Sequence, residues 1–287
     1  MSAMLLAHEL VIAEGEATPD RWMLFLHGIL GRRANWRTLA RRWVQARPGW
    51  GAVLVDLRDH GESQGLPGAR TVASAGADLV ALARAVEEAR GGRVAGVLGH
   101  SFGGKVAIAA AEQLRAAGLG LDELWIIDAP PGPRTQPRDR TTDRTFELLE
   151  GLPERFASRS EFIDAVVDGG LGRSIAQWLA TNLVEADGGW RFGLELDRLR
   201  ALLDDFSAID LWPIVEAEAD AGTRVVLVLG GRSEAVFGAE RERAERLAAA
   251  GMIELEVIDG AGHWVHVDRP DALLQVLARS LSVISRG

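Results

Sequence analysis

The sequence predicts an α/β fold: a mainly parallel sheet covered by helices, with one helical block inserted into it. Three observations carry this. Short apolar runs alternate with helix-period segments through the first half of the chain. The alternation stops at Pro130-Pro131-Gly132-Pro133 and resumes at Val225. The length, 287 residues, allows up to two domains, although α/β folds often run to this length as one.

The elements read in order as follows. The run 22–26 ends in His27-Gly28 and is the first clear strand. Helix-period residues Trp36, Leu39, Ala40, Trp43 and Val44 follow, with Asn35 as the expected N-cap. Residues 52–56 form a second buried run. Segment 71–90 repeats apolar residues at Val72, Ala75, Leu79, Leu82, Ala83 and Val86, the pattern of a long amphipathic helix. A strand at 94–98, a helix at 102–117 and a strand at 124–127 complete the first half. Runs 225–229 and 253–258 are strands around a helix at 240–250, and 273–283 is the last helix. Parallel strands need right-handed crossovers, which gather the loops after the strands along one edge, where ligands bind. Residues 133–210 are charge-rich and show no strand run. They read as a helical cap inserted into a core made of 1–132 and 211–287.

Composition narrows the function classes. Apolar residues make up 47% and charged residues 25%, ordinary values for a folded globular chain. A net charge of -9 argues against a nucleic-acid partner, which needs a clustered basic surface. The absence of Cys excludes disulfides, thiolate metal sites and a Cys nucleophile. The first 14 residues lack the basic start of a signal peptide, and no apolar run approaches the roughly 18 residues of a membrane helix. A cytoplasmic protein is expected. Lys105 is the sole Lys beside many Arg, Ala and Gly residues, a bias that suggests GC-rich, bacterial coding.

The chemistry is carried by three places. Gly99-His100-Ser101-Phe102-Gly103 fits G-x-S-x-G between an apolar strand and the start of a helix. That setting makes a sharp turn with an exposed Ser hydroxyl, the nucleophile elbow. His263, in Gly260-Ala261-Gly262-His263-Trp264 after the final strand, falls where the chain order Ser–acid–His puts the base; His266 is its rival. Two carboxylates compete for the acid. Asp128 closes the strand Trp125-Ile126-Ile127. Glu234 lies in the loop after 225–229, where the usual acid position holds Ser233. The amides of Ile29 and Phe102 are the natural pair for an oxyanion. His27 is expected to pin the loop after the first strand, and the polar turn from Asp56 to Ser63 to serve loop architecture. Lys105, four residues past Ser101, is expected in a structural ion pair. Phe146, Phe162, Trp178 and Trp190 are the candidate substrate-lining aromatics of the cap.

These motifs resemble the α/β-hydrolase superfamily over nearly the whole chain. More narrowly, Gly-His-Ser-Phe-Gly-Gly-Lys (99–105), Ile-Asp-Ala-Pro (127–130), Gly-Gly-Arg-Ser (230–233) and Ala-Gly-His-Trp-Val-His (261–266) are similar to one branch. It holds small bacterial serine esterases related to abhydrolase domain-containing protein eleven. Trp190-Arg191-Phe192 also looks like that branch's cap region, whereas the rest of the cap departs from it. The resemblance implies an acid at the position of Asp128, with a Ser in the later slot. It implies hydrolysis of a small-molecule acyl ester by Ser101, His263 and Asp128 through an acyl-enzyme, without metal or organic cofactor. A cofactor-free haloperoxidase, a carbon–carbon hydrolase or an acyltransferase would keep the same triad. A slow-turnover ligand receptor is the reading from another class.

Overall fold

The computed structural model describes residues 4–16, 18–134 and 140–279. Its centre is a seven-stranded sheet. In chain order the strands are β1 (His8–Val11), β2 (Arg21–Leu26), β3 (Trp50–Val55), β4 (Arg93–His100) and β5 (Glu123–Ile127). Two more belong to this sheet, β8 (Arg224–Gly230) and β9 (Glu254–Ile258); β6 (Leu183–Ala186) and β7 (Gly189–Phe192) form a separate hairpin. The spatial order is β1-β3-β2-β4-β5-β8-β9. Only β1 runs antiparallel, against β3. It covers a sheet edge and is an element the sequence reading lacked. With four residues it is too short to show a period.

Helices cover both faces, as the alternation predicts. On one face α1 (Arg37–Ala46) packs beside α11 (Pro270–Leu277), with α10 (Val265–Asp268) leading into α11. Trp36, Trp43, Trp50 and Leu273 fill that layer, and Trp43 Nε1 donates to the Leu277 carbonyl at 3.1 Å. On the other face lie α2 (Val72–Arg90), α3 (Phe102–Ala116), α8 (Trp212–Asp220) and α9 (Ala239–Ala249). α2 begins where predicted: the Thr71 hydroxyl accepts from the Ser74 amide, an N-cap. Asn35 is not the N-cap of α1, a place that Trp36 takes. It sits inside a 3-10 turn, Arg33–Trp36, where its Oδ1 accepts from the Arg32 amide at 2.7 Å. The last helix is shorter than expected; the end of segment 273–283 lies outside the described residues.

Between β5 and β8 run α4 (Arg140–Gly151), α5 (Arg159–Asp168), α6 (Arg173–Leu179), β6 (Leu183–Ala186), β7 (Gly189–Phe192) and α7 (Leu196–Ala208). The antiparallel pair β6–β7 corrects the reading of this block as wholly helical. Asp187 and Gly188 both take positive φ, 45° and 80°, which is the two-residue turn that matches strand twist. Asp-Gly is the sequence signal for such a turn. It was obscured because the flanking strands are four residues long and half-exposed.

Candidate active site

Three loops at the carboxyl edge of the sheet meet over the start of α3. The β4–α3 turn is tight. Ser101 has φ 53° and ψ −118°, a conformation L residues rarely adopt, and its amide donates to the Ile127 carbonyl at 2.9 Å. The neighbours have no room for side chains: a Cβ on Gly99 would collide with the Gly103 carbonyl, and one on Gly103 with the His27 carbonyl. Those glycines are therefore a steric requirement of the elbow. The Phe102 amide opens α3, so it is among the first amides of that helix.

His263 comes from the loop after β9. Its Nε2 lies 3.0 Å from Ser101 Oγ, and its Nδ1 lies 2.6 Å from Asp128 Oδ2. The His263 side chain is 39% exposed and Asp128 only 1%, so the imidazole bridges open space and a buried carboxylate. Asp128 follows β5 with φ 48°. Its Oδ1 accepts from the Gly230 amide at 3.0 Å, and its Oδ2 also accepts from the Ser233 hydroxyl. Of the two competing carboxylates, Asp128 is the one that meets His263; Glu234 is exposed to solvent.

The loop after β2 approaches from the other side. A Cβ on Gly28 would stand 3.4 Å from Ser101 Cβ and 3.1 Å from His100 Nδ1. Gly28 thus allows Ile29 to line the same cleft as Ser101. Two buried histidines hold this loop. His27 Nε2 accepts from the Leu57 amide at 3.1 Å and its Nδ1–H donates to the Gly28 carbonyl at 2.8 Å. His60 Nε2 accepts from the Leu30 amide at 3.3 Å. Burial pushes His27 down to about 4 and His60 to about 3, so both are neutral near pH 7. Asp56 accepts from the Arg33 amide at 2.6 Å and ion-pairs with its guanidinium, so the turn after β3 braces the same loop.

The cleft holds about 290 Å³. Core loops supply Ser101, His263, Trp264 and Ile29, and the segment between β5 and β8 supplies Thr142, Thr145, Ile175 and Trp178. Trp178 packs on Trp264 with ring centroids 4.6 Å apart, so the two parts of the chain meet at the cleft. Of the four aromatics expected to line it, Trp178 does so. Phe146 is buried under the Arg200 guanidinium. Phe162 is buried edge-on to Phe156 and stacked on Phe192. Trp190 lies under Arg159 and is bridged by backbone bonds to Phe156. Thr142, Thr145, Ile175 and Trp264 were missed; only Trp264 carried a signal, its position beside His263.

His266 does not approach Ser101 as His263 does; it packs tilted against Trp36 and edge-on to His100, and burial lowers it to about 4. His100 Nε2–H donates to the His263 carbonyl at 2.7 Å, which ties the end of β4 to the loop after β9. Lys105 is not in an ion pair: among the described residues its Nζ donates to three backbone carbonyls instead. Among the described residues, no three His, Asp or Glu side chains cluster as metal ligands, and no helix is long and apolar enough to cross a membrane.

The Marine microorganism esterase structure superposes with a TM-score of 0.76 at 21% identity, covering 96% of this chain and 98% of that one, a likeness of fold. The sn-1-specific diacylglycerol lipase ABHD11 of Mus musculus is 31% identical over 280 residues, 94% of this chain and 84% of that protein. Esterase YbfF of Escherichia coli (strain K12) is 30% identical over 263 residues, 91% of this chain and 92% of its own length. The sequence model of the Alpha/beta hydrolase family matches residues 23–276, and the chain belongs to that family.

Proposed function

We infer that the chain, a hydrolase of ester bonds like its esterase and lipase relatives, cleaves small-molecule carboxylic esters through an acyl-enzyme on Ser101. The observation that carries this is the unbroken line from Ser101 Oγ through His263, 3.0 Å on one side of the ring, to Asp128, 2.6 Å on the other. Ser101 Oγ attacks the ester carbonyl carbon while His263 Nε2 takes its proton. Negative charge gathers on the former carbonyl oxygen, where the amides of Ile29 and Phe102 donate to it. One such donor is typically worth about 3 kcal/mol in the transition state. The C–O bond of the alcohol breaks, and the alcohol leaves with the proton from His263. Water then attacks the acyl group by the same route in reverse and frees Ser101. Asp128 accepts from Nδ1–H throughout, which keeps Nε2 free to accept. No cofactor enters the scheme.

In this reading residues 133–210 form a cap over a core of 1–132 and 211–287, and the cap's Trp178, Ile175, Thr142 and Thr145 shape the acyl or alcohol pocket. The test is a panel of p-nitrophenyl esters of graded acyl length. The native enzyme should turn them over. Asp128→Asn should stay folded by circular dichroism and lose about 10⁴ in kcat, because the imidazole then favours the wrong tautomer. Glu234→Gln should stay within a few fold of the native rate, as an exposed loop residue does. A folded Asp128→Asn enzyme with near-normal turnover would refute the assignment.

A further inference from the structure

Lys105 is the only lysine of the chain, and its side chain is wholly buried. It sits one turn into α3, directly past the nucleophile elbow. Burying an ammonium is costly unless every N–H finds an acceptor. Here each does: Nζ lies 2.8 Å from the Gly132 carbonyl, 2.6 Å from that of Phe206 and 2.9 Å from that of Ile209. The Phe206 ring also faces Nζ, 4.7 Å from its centroid, and touches Phe102 at 6.1 Å.

The positions of the three carbonyls are what matter. Gly132 is where the chain leaves the core for the 133–210 block, and Phe206 and Ile209 are where it returns. Two backbone bonds tie the departing and returning segments together, Arg134 N to Ser207 O at 2.8 Å and Leu211 N to Pro131 O at 2.9 Å. Lys105 thus reaches from the helix that directly follows Ser101 to both roots of the block that carries Thr142, Thr145, Ile175 and Trp178. We propose that Lys105 is a positioning residue, whose ammonium fastens both roots of the cap to the nucleophile helix and thereby sets how the cap lies over Ser101.

The latch depends on charge. An ammonium has three N–H donors for three carbonyls, and a neutral amine has two, so deprotonation frees one root carbonyl. Burial lowers Lys105 from the usual lysine range to about 8. The carboxylates of Glu240, Asp210 and Asp205 oppose that shift, and Arg134 adds to it. Those carboxylates are themselves engaged in the roots: Glu240 accepts from the Gly132 amide and Trp212 Nε1, Asp210 from the Trp212 amide, and Asp205 from the Val72 amide. The cap is accordingly latched at neutral pH and loosened above about pH 8.

The kinetic part of the test rests on the ester-hydrolase reading, and the rest does not. Protein labelled with ¹⁵N-lysine gives one side-chain Nζ signal, because there is one lysine. That signal should titrate near pH 8. Hydrogen-exchange protection of the segment 140–179, corrected for the intrinsic pH dependence, should fall roughly tenfold with the same midpoint, about the effect of one lost hydrogen bond to a charged group. KM for a long-chain ester should rise by a similar factor across it, while kcat for p-nitrophenyl acetate should change less than about twofold. Lys105→Met should show the loosened behaviour already at pH 7 and no response from pH 7 to 9.5. The proposal is overturned if Nζ titrates while protection of 140–179 stays constant, or if a folded Lys105→Met enzyme keeps the native protection and pH response. Should Lys105→Met fail to fold, the match of midpoints in the native protein decides alone. Should no ester be turned over, the catalytic reading falls and hydrogen exchange still decides the latch.

Discussion

The Ser233 hydroxyl donates to Oδ2 of Asp128, the same carboxylate oxygen that faces His263 Nδ1. The side chain in the loop after β8 is therefore a hydroxyl that donates to the proposed acid, which stands one strand away. With the Gly230 amide on Oδ1, Asp128 has three donors and almost no exposure to water. A carboxylate so surrounded has little freedom to rotate away from the imidazole. Ser233→Ala should lower kcat by about tenfold, the cost of one hydrogen bond to a charged group, with KM little changed. Steady-state kinetics on one ester checks this. An unchanged kcat would show that Gly230 and His263 alone hold Asp128.

Trp178 and Phe162 should behave in opposite ways. Trp178 lines the cleft against Trp264, whereas Phe162 is buried among Phe156 and Phe192. Trp178→Ala should shift preference among graded acyl lengths and leave stability near native. Phe162→Ala should cost about 3–5 kcal/mol of stability, as emptied aromatic core sites do, with the length preference retained. Urea unfolding and the ester panel together separate the two. A changed length preference in Phe162→Ala would move the pocket toward α5.

Acid should unfold the protein through its buried histidines. His27 and His60 are held neutral by burial, at about 4 and about 3, below the usual histidine value of 6.5. Above 6.5 both folded and unfolded forms are neutral, so these residues leave stability unchanged. Below it the unfolded chain takes up protons that the folded chain refuses, and stability falls as pH drops from 6.5 toward 4. At pH 5 each should cost on the order of 2 kcal/mol. Urea midpoints measured from pH 7.5 to 4.5 should decline steeply below 6.5. A flat profile down to pH 5 would mean that these imidazoles are not neutral in the fold.

Local signals made the proposed catalytic frame legible in the sequence. The strand 94–98, the small residues around Ser101 and the helix after it are neighbours in the chain, so one window shows the elbow. His263 was readable because chain order places it after the final strand. Asp128 was readable only as one of two carboxylates, since the choice depends on which reaches an imidazole 135 residues away. The block 133–210 was hardest. Phe146 and Thr145 are adjacent on α4, yet Thr145 lines the cleft and Phe146 does not. That depends on how α4 is rotated over the core, which no local pattern records. Lys105 misled for a related reason: its partners are backbone carbonyls, and these leave no trace in residue identity.

The proposed chemistry rests first on Ser101 as the nucleophile. The most direct measurement is labelling by a fluorophosphonate probe with the site of attachment read by peptide mass, run beside ester turnover for the native enzyme and Ser101→Ala. The native protein should carry one adduct on Ser101. Ser101→Ala should stay folded, take no label and lose about 10⁴ to 10⁶ in kcat. An adduct on a different residue, or a folded Ser101→Ala protein that still labels and hydrolyses esters at the native rate, would contradict it.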